Sequence, residues 1–465
     1  MNTIFGSVAD PSFRGNTTNR NINKHCKLTR KIVLTALLMA GTIFLIASSV
    51  EANAQITLAH LAGPWQIALV GNTGCGQSSL LFTGSMNASG TAPGFLSGSS
   101  TGCPSSNNIA ETFTINSLDS HGSGTASLSC GTFCGWNFQI QVASNEQTFN
   151  LVDTKNGGNN VLAGTAVSQS APAITLDQLA GTWQIGLVGN TACGRTSVVF
   201  NGQLSTSGQA IGALTDTSGC SFSNPDAVFR ITSLSLDGSG TASLSCPSGC
   251  GWNFDIQVAP NKQTFNLVDV ADGSSAVLAG SAVVSSNITL NQLLAEPWTI
   301  ALTGNTGCGQ TSMLFTETAL DPNSGNPTGI LSATSSGCPS GSSTQTFSIS
   351  PLSNGNGTAT LSCGSGCGWN FAIQLSPDGQ VFNLVDTKNF GTNVLAGTAV
   401  ARPGLVAVPD ETGNPVQAAE ADIQAAGLKW RLSGSGAWVL STKPSGGTFV
   451  PIGSTVTIFR TNIHN

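Results

Sequence analysis

The fold is decided by the stretch Gly135-Trp136-Asn137-Phe138-Gln139-Ile140-Gln141-Val142, in which apolar and polar side chains alternate. Its tryptophan, phenylalanine, isoleucine and valine fall on one face of an extended chain, and its amide side chains fall on the other. This period of two predicts a β-strand with one buried face. The stretch recurs from Gly251 and again from Gly368, so the same strand is expected three times.

The recurring stretch belongs to a module that occurs three times. Trp65, Trp183 and Trp298 mark the same point in successive copies. The period of about 116 residues is too long for a solenoid unit, so each copy is expected to be a complete domain. We predict modules at 55–168, 169–285 and 286–401, followed by a C-terminal domain at 402–465. Modules of this size bury enough surface to fold alone, which predicts separate beads.

Each module is expected to be all-β. In the first module, alternation and turn residues predict strands at 65–70, 78–86, 92–99, 111–119, 124–130, 136–143, 147–153 and 160–167. Turns are predicted at Asn156-Gly157, at Pro260-Asn261-Lys262 and at Pro377-Asp378-Gly379. About eight short antiparallel strands favour a meander closed into a barrel, because closure removes exposed sheet edges. A β-sandwich is the alternative.

The start of each module carries a weak resemblance to a known family. Leu61-Ala62-Gly63-Pro64-Trp65 and Leu179-Ala180-Gly181-Thr182-Trp183 resemble the Gly-x-Trp entry of lipocalin- and avidin-like (calycin) barrels. The third module departs from it with Glu296-Pro297-Trp298. The resemblance implies a barrel architecture and transfers no ligand.

Twelve of the thirteen cysteines divide evenly among the modules, and Cys26 lies ahead of them. We predict that each module pairs its first two cysteines and its last two, since the last two are separated by three residues across a hairpin neck. A zinc site with four cysteine ligands is the alternative, and we expect no metal. An oxidising compartment is the natural setting for this cysteine pattern. The predicted pairs are Cys75–Cys103, Cys130–Cys134, Cys193–Cys220, Cys246–Cys250, Cys308–Cys338 and Cys363–Cys367.

The N-terminus has the pattern of a signal peptide. Lys27, Arg30 and Lys31 precede an uncharged apolar run of 19 residues, 32–50, and Ala52-Asn53-Ala54 provides a small-x-small cleavage site. We predict cleavage after Ala54. The alternative is an uncleaved transmembrane anchor, because the run is long enough to span a bilayer.

The charge pattern excludes one class of partner. Only 8% of residues are charged, and six of the sixteen basic residues lie within the first 31 positions. The remaining chain is acidic and has no basic stripe, so it lacks the electrostatic footprint of a nucleic-acid-binding protein.

Residue types that carry catalysis do not recur as a set. His60 and His121 have no counterparts in the other modules, and G-x-S-x-G at 98–102 occurs once. Ser79, Ser197 and Ser312 recur, but without a retained base nothing activates them. Asp153, Asp269 and Asp386 also recur, and a lone carboxylate after a strand is expected to cap the following turn. We expect no catalytic residue and no cofactor.

The retained tryptophans Trp136, Trp252 and Trp369 have two interpretations. They alternate with phenylalanine and isoleucine, which favours a place in the core. The alternative is a ligand-binding face on which sugars stack.

The C-terminal region has helix signals in order, with Asn414 expected as N-cap, Pro415 in the first turn and Gly427 at the stop. Strands are expected at about 437–442 and 454–459, which gives a helix on a small sheet, an α+β domain.

The same residues resemble the PASTA domain over about 404–461. The match includes Val408-Pro409-Asp410, the Ala426-Gly427-Leu428 helix end and Gly453-Ser454-Thr455-Val456, while Lys429-Trp430-Arg431 departs from the plainer strand of the family. The resemblance implies an extracytoplasmic position and contact with peptidoglycan.

These observations predict a non-enzymatic exported protein, periplasmic, on the bacterial cell surface or secreted. Its modules would form a disulfide-braced binding or structural array, and its C-terminal domain would contact peptidoglycan or another surface component. Membrane contact is expected only if the N-terminal segment is retained. The alternative is three calycin-like barrels that bind small hydrophobic ligands, and a secreted hydrolase comes third.

Overall fold

The computed structural model describes residues 55–130, 134–153, 161–169, 173–218, 223–247, 249–269, 276–321, 324–362, 368–387 and 394–462. The expected signal segment, the Asn156-Gly157 turn and several cysteines lie outside these residues. None of the helices in this described part is long and apolar enough to cross a membrane.

The first module is a closed eight-stranded antiparallel barrel in which each strand pairs with its neighbours in sequence and the last strand pairs with the first. The alternating pattern therefore specifies a meander, and the sandwich alternative is wrong. Its strands are β1 (Gly63–Thr73), β2 (Gly76–Met86), β3 (Thr91–Ser100), β4 (Ser106–Leu118), β5 (Ser123–Cys130), β6 (Cys134–Val142), β7 (Thr148–Asp153) and β8 (Val161–Ser168).

The second and third modules repeat this barrel. The strands of the second are β9 (Gly181–Thr191), β10 (Gly194–Leu204), β11 (Gln209–Asp216), β12 (Ser223–Leu234), β13 (Ser239–Ser245), β14 (Gly251–Val258), β15 (Thr264–Val268) and β16 (Val277–Val284). Those of the third are β17 (Trp298–Thr306), β18 (Gly309–Leu320), β19 (Pro327–Ser335), β20 (Gly341–Ile349), β21 (Asn356–Ser362), β22 (Gly368–Leu375), β23 (Val381–Asp386) and β24 (Val394–Ala401).

A buried tryptophan fills one end of each barrel. In the first barrel, the short 3₁₀ helix Leu58–Leu61 precedes β1, and Trp65 donates from Nε1 to the main-chain oxygen of Leu61 at 2.8 Å. The indole also packs against Phe149, with ring centroids 4.8 Å apart. The other barrels repeat both contacts after the helices Leu176–Leu179 and Leu290–Leu293, with the pairs Trp183–Leu179 and Trp298–Leu293 and the ring contacts Trp183–Phe265 and Trp298–Phe382.

The three barrels are not separate beads, and that expectation is wrong. The first strand of each barrel lies against the last strand of another: β1 contacts β16, β9 contacts β24 and β17 contacts β8. These three contacts close a ring. They bury apolar side chains that point out of each barrel, among them Val70, Leu81, Val188, Val199, Val268, Val385 and Val394. The physical reason is that strands at the start and end of each module carry apolar residues on both faces.

Three equivalent hydroxyls mark the centre of this ring. Thr165 and Thr398 lie 2.9 Å apart between their Oγ1 atoms, and Ser281 Oγ lies 3.3 Å from Thr398 Oγ1. A cavity of about 30 Å³ adjoins them, room for a water molecule. The ring is therefore a three-fold arrangement made by one chain.

The C-terminal domain packs its helix, Val416–Ala425, on a sheet through Ala419 and Ile423. Pro415 holds the N-cap position, so the prediction that Asn414 is the N-cap is wrong. The side chain of Asn414 instead donates to Glu411 Oε2 at 3.0 Å. Gly427 follows the helix at φ +74°, as expected. The strands are β25 (Leu405–Ala407), β26 (Lys429–Gly434), β27 (Trp438–Lys443), β28 (Phe449–Pro451) and β29 (Thr455–Thr461), ordered β26-β29-β27 in one sheet and β25-β28 in the other.

The C-terminal domain is docked on the third barrel by main-chain contact. The Leu320 N–H donates to the Gly447 oxygen at 2.9 Å. Gly447 has φ +78°, and a Cβ there would come within 2.3 Å of the Leu320 oxygen. This approach therefore requires glycine.

Candidate functional site

The retained serines and aspartates meet each other, but across barrels. Ser312 Oγ in the third barrel donates to the main-chain oxygen of Asp153 in the first at 2.8 Å. Ser197 Oγ makes the same bond to Asp386 at 3.0 Å, and Ser79 Oγ bonds the Asp269 oxygen. All six residues are buried. Because the acceptor is a main-chain oxygen, this constellation holds the ring together and activates no nucleophile. The aspartate carboxylates as turn caps remain a prediction.

A retained asparagine makes a second ring of contacts that sequence analysis did not single out. Asn150 donates from Nδ2 to the Thr299 oxygen of the third barrel at 3.0 Å. Asn383 reaches the Gln184 oxygen at 3.1 Å, and Asn266 reaches the Gln66 oxygen at 3.4 Å. The signal was the Asn-Leu-Val-Asp repeat itself, in which a buried amide needs a partner.

The predicted turns before β15 and β23 meet the equivalent turn of the first barrel. Asp378 Oδ2 accepts hydrogen bonds from the side chains of Asn145 and Asn261, both at 2.9 Å. Asp378 Oδ1 accepts from Ser376 Oγ at 2.6 Å and from the Gln380 N–H at 3.1 Å. One carboxylate thus joins all three barrels.

The first barrel has a cavity of about 500 Å³ at the end opposite Trp65. Its apolar lining includes Leu80, Leu96, Ile109 and Trp136. Its polar lining includes Ser78, Ser100 and Glu111. This volume falls in the range of small-molecule sites.

Trp136 lies in the core of the first barrel and also lines the cavity, and a ligand-binding face there stays a prediction. It is 7% exposed, and its Nε1 has no hydrogen-bond acceptor among the described residues. Trp252 and Trp369 are equally buried in their barrels. The Nε1 atom of Trp369 likewise has no acceptor among the described residues, so the unpaired donor is not particular to the first barrel.

Two serine hydroxyls in the lining already have partners. Ser78 Oγ lies 2.8 Å from Thr73 Oγ1, and Ser100 Oγ donates to the Cys103 oxygen at 3.1 Å. These serines therefore shape the wall.

The three barrels differ at the inward positions that bound this cavity. Gly98 pairs with Leu80 in the first barrel; the equivalent pairs are Asp216 with Val198 and Ala333 with Met313. Burial raises the pKa of Asp216, against the opposing effect of its hydrogen bonds from Ser218. Glycine leaves room in the first barrel that a carboxylate or a methyl group fills in the others.

The position of Glu111 also carries a different residue in each module. It pairs with Gly94, whereas Ala227 and Gln345 hold the equivalent register positions. Sequence analysis missed Gly98 and Glu111 because it searched for positions that recur. The sequence did carry a signal for Glu111: it lies two residues before Phe113, so both side chains fall on the inward face of the same strand.

Described disulfides join Cys75 to Cys103, Cys246 to Cys250 and Cys308 to Cys338. Cys75 and Cys103 also line the first-barrel cavity, so this bridge braces one of its walls. Cys193 is disulfide-bonded as well. The predicted pairs Cys130–Cys134, Cys193–Cys220 and Cys363–Cys367 involve side chains outside the described residues. No group of three or more His, Cys, Asp or Glu in the described ranges is arranged to hold a metal ion.

The third barrel buries a carboxylate beside its tryptophan. Glu317 Oε2 accepts from the Trp298 N–H at 3.0 Å, and the Arg402 side chain donates to the Glu317 main-chain oxygen at 3.1 Å. Burial raises the pKa of Glu317 well above its usual range, although the Trp298 hydrogen bond and the Arg402 charge oppose this.

The C-terminal domain exposes an apolar and basic edge strand. Strand β26 lies at the edge of its sheet, and Lys429, Trp430, Arg431 and Leu432 are all exposed. Trp430 is 39% exposed, high for so large a ring. These residues include the Lys-Trp-Arg stretch that departs from the plainer family strand.

Comparison with known proteins identifies one region. Residues 406–459 match the family model of the PASTA domain. No curated protein matches the chain.

Among solved structures, the chain is similar to the crystal structure of CghA, at 8% identity over 74% of this chain and 88% of that one, with a TM-score of 0.21. It is also similar to a DUF3598-family protein of unknown function from Nostoc punctiforme, at 13% identity over 50% of this chain and 98% of that one, with a TM-score of 0.16. Because both TM-scores are low, we infer neither fold nor function from these similarities.

Proposed function

We propose that the chain is a non-enzymatic, exported envelope protein of bacteria. Its C-terminal domain binds peptidoglycan, and its ring of three barrels is the scaffold that carries this domain. The PASTA match at 406–459 is the observation that carries this proposal. The disulfides are consistent with an extracytoplasmic location. The signal pattern at 27–54 supports export, with the mature chain periplasmic, at the cell surface or secreted.

The interface contacts support a non-catalytic role for the ring. The recurring serines, asparagines and aspartates are used in contacts between barrels, where no substrate reaches them. A ring that holds three barrels together and carries one binding domain is better suited to displaying that domain than to catalysis.

Strand β26 is the proposed contact surface for the wall. Peptidoglycan offers carboxylates on its peptides and sugar rings on its glycan chains. Lys429 and Arg431 supply cations for the former, and the exposed face of Trp430 supplies a stacking surface for the latter. The exposed edge of the sheet adds main-chain groups that an extended peptide can pair with.

A pull-down on purified peptidoglycan tests the proposal. The full chain should sediment with the wall, a chain ending at Ala401 should stay in solution, and Trp430→Ala should bind at least 5-fold more weakly. Ile211→Ala is the matched control because Ile211 is 61% exposed on the second barrel. Equal sedimentation of the full and shortened chains would reject wall binding by this domain.

Small-ligand binding is the second candidate function. The cavity in the first barrel favours it, but the differences at Gly98, Asp216 and Ala333 argue against three equal sites. Native mass spectrometry of the purified chain tests it: a co-purified small molecule would support this role. The absence of one would leave wall binding as the function.

A further inference from the structure

We propose that Gln55 is a modification site: export leaves it as the first residue of the mature chain, and its side chain then closes on its own α-amine to form pyroglutamate, a neutral lactam. The proposal rests on the export part of the proposed function, because cleavage after Ala54 is the step that frees the amine. It is independent of wall binding.

The folded body of the first barrel begins one residue after the expected cleavage point. Ile56 is 3% exposed and belongs to the core cluster of this barrel. Its N–H donates to the Ser120 oxygen at 3.2 Å. Its side chain lies over Gly122, where an added Cβ would come within 3.0 Å of Ile56 Cδ1. Cleavage before Gln55 therefore leaves the contacts of Ile56 intact.

Gln55 itself lies outside these contacts and is exposed. Ring closure joins two groups of this one residue, so no part of the barrel has to move. The α-amine nitrogen attacks the side-chain carbonyl carbon Cδ, a C–N bond forms, and the side-chain nitrogen leaves as ammonia. The reaction consumes no oxidant, water or second substrate, and it removes the positive charge of the chain end.

The other modules show which kind of group this position carries. Ile174 is equivalent to Ile56, is 1% exposed, and donates its N–H to the Leu236 oxygen at 2.9 Å. Ala173 before it is exposed like Gln55, but its nitrogen is a neutral amide because it lies within the chain.

A free Gln55 would instead place an α-ammonium next to the buried Ile56, since this group is mostly protonated at neutral pH. A charge held close to an apolar core is less favourable there than a neutral amide. The lactam gives the first module the neutral amide nitrogen that the second module already has.

The modification would also close the chain end to aminopeptidases, which require a free α-amine. The structure further predicts how far such an enzyme could trim an unmodified chain. It could remove residue 55, which is exposed, but Ile56 is held by its main-chain hydrogen bond and by its buried side chain. Trimming should therefore stop at Ile56.

Mass spectrometry of the full chain, recovered from the extracytoplasmic fraction of bacterial cells, tests the modification. The native protein is incubated until its mass no longer changes and is then reduced. The wild-type chain should be lighter than a chain that begins with unmodified Gln55 by one molecule of ammonia. Gln55→Ala is the matched control, since it is cleaved at the same bond but should keep the full mass and a free amine.

Aminopeptidase digestion of the native proteins tests the protection. The wild-type chain should keep its mass, whereas Gln55→Ala should lose residue 55 alone.

Two mass results would overturn the proposal, and they differ in what else they reject. A mature chain that begins with unmodified Gln55 would overturn the modification and leave export intact. A chain that still carries residues before Gln55 would overturn the modification together with the predicted cleavage. Trimming of Gln55→Ala beyond Ile56 would contradict the predicted anchoring of this residue.

Discussion

Ser312 in the third barrel donates its hydroxyl hydrogen to the main-chain oxygen of Asp153 in the first barrel, at 2.8 Å. Both residues recur in every module, and 159 positions separate them along the chain. The bond and its two equivalents link the barrels in a closed cycle. Retention of a serine and an aspartate in each module is therefore explained by assembly.

Removal of the Ser312 hydroxyl should destabilise the ring. Ser312→Ala leaves the Asp153 oxygen without this donor inside a buried interface, and we expect a loss of about 1–2 kcal/mol in the free energy of unfolding. Urea unfolding followed by tryptophan fluorescence measures it. Ser342→Ala, an exposed position in the same barrel, should change stability by less than about 0.5 kcal/mol. Equal effects of the two substitutions would contradict the role of the interface bond.

Asp378→Asn tests the contact that joins all three barrels. An amide has one oxygen and one NH₂ group, so it cannot accept both the pair of bonds at Oδ1 and the pair at Oδ2. We expect a loss of about 1–3 kcal/mol, measured as a lower urea midpoint. A wild-type midpoint would show that the carboxylate is not needed at this junction.

Glu317 should give stability a pH dependence of defined sign. Because the pKa of Glu317 in the folded protein is raised above its ordinary value of 4.5, the folded state holds a proton that the unfolded state releases. The stability contribution is therefore complete below about pH 4.5 and is lost as the pH rises toward the folded pKa, by up to about 1.4 kcal/mol per pH unit.

Glu317→Gln removes this dependence, since its amide stays neutral and its oxygen can still accept from the Trp298 N–H. The variant should therefore gain stability relative to wild type between pH 4.5 and pH 8. Urea midpoints of both proteins at these two pH values provide the measurement. Parallel pH curves would show that Glu317 is ionised in the folded protein.

Alternation predicted the barrels well because each strand has an interior face. The stretch predicted at 136–143 is strand Cys134–Val142, and the closed meander follows from eight such strands in order. The PASTA resemblance was equally clear, because its signals are local turns and a short helix.

The ring was missed because its contacts are not local. Strand Thr148–Asp153 is buried at every position, so its outward Asn150 and Val152 must be covered by something other than their own barrel. The sequence shows outward apolar residues but not which strand covers them. The cavity was missed because it depends on positions such as Gly98 where the modules differ.

The most direct test of the ring is hydrogen exchange, measured by mass spectrometry, on Val188→Asp. Val188 points out of the second barrel into the shared apolar cluster and is 3% exposed. Ile211→Asp is the control, since Ile211 lies on the same barrel but is exposed. We predict that Val188→Asp lowers protection in interface strands of all three barrels and that Ile211→Asp does not. Loss of protection confined to the second barrel would contradict the ring.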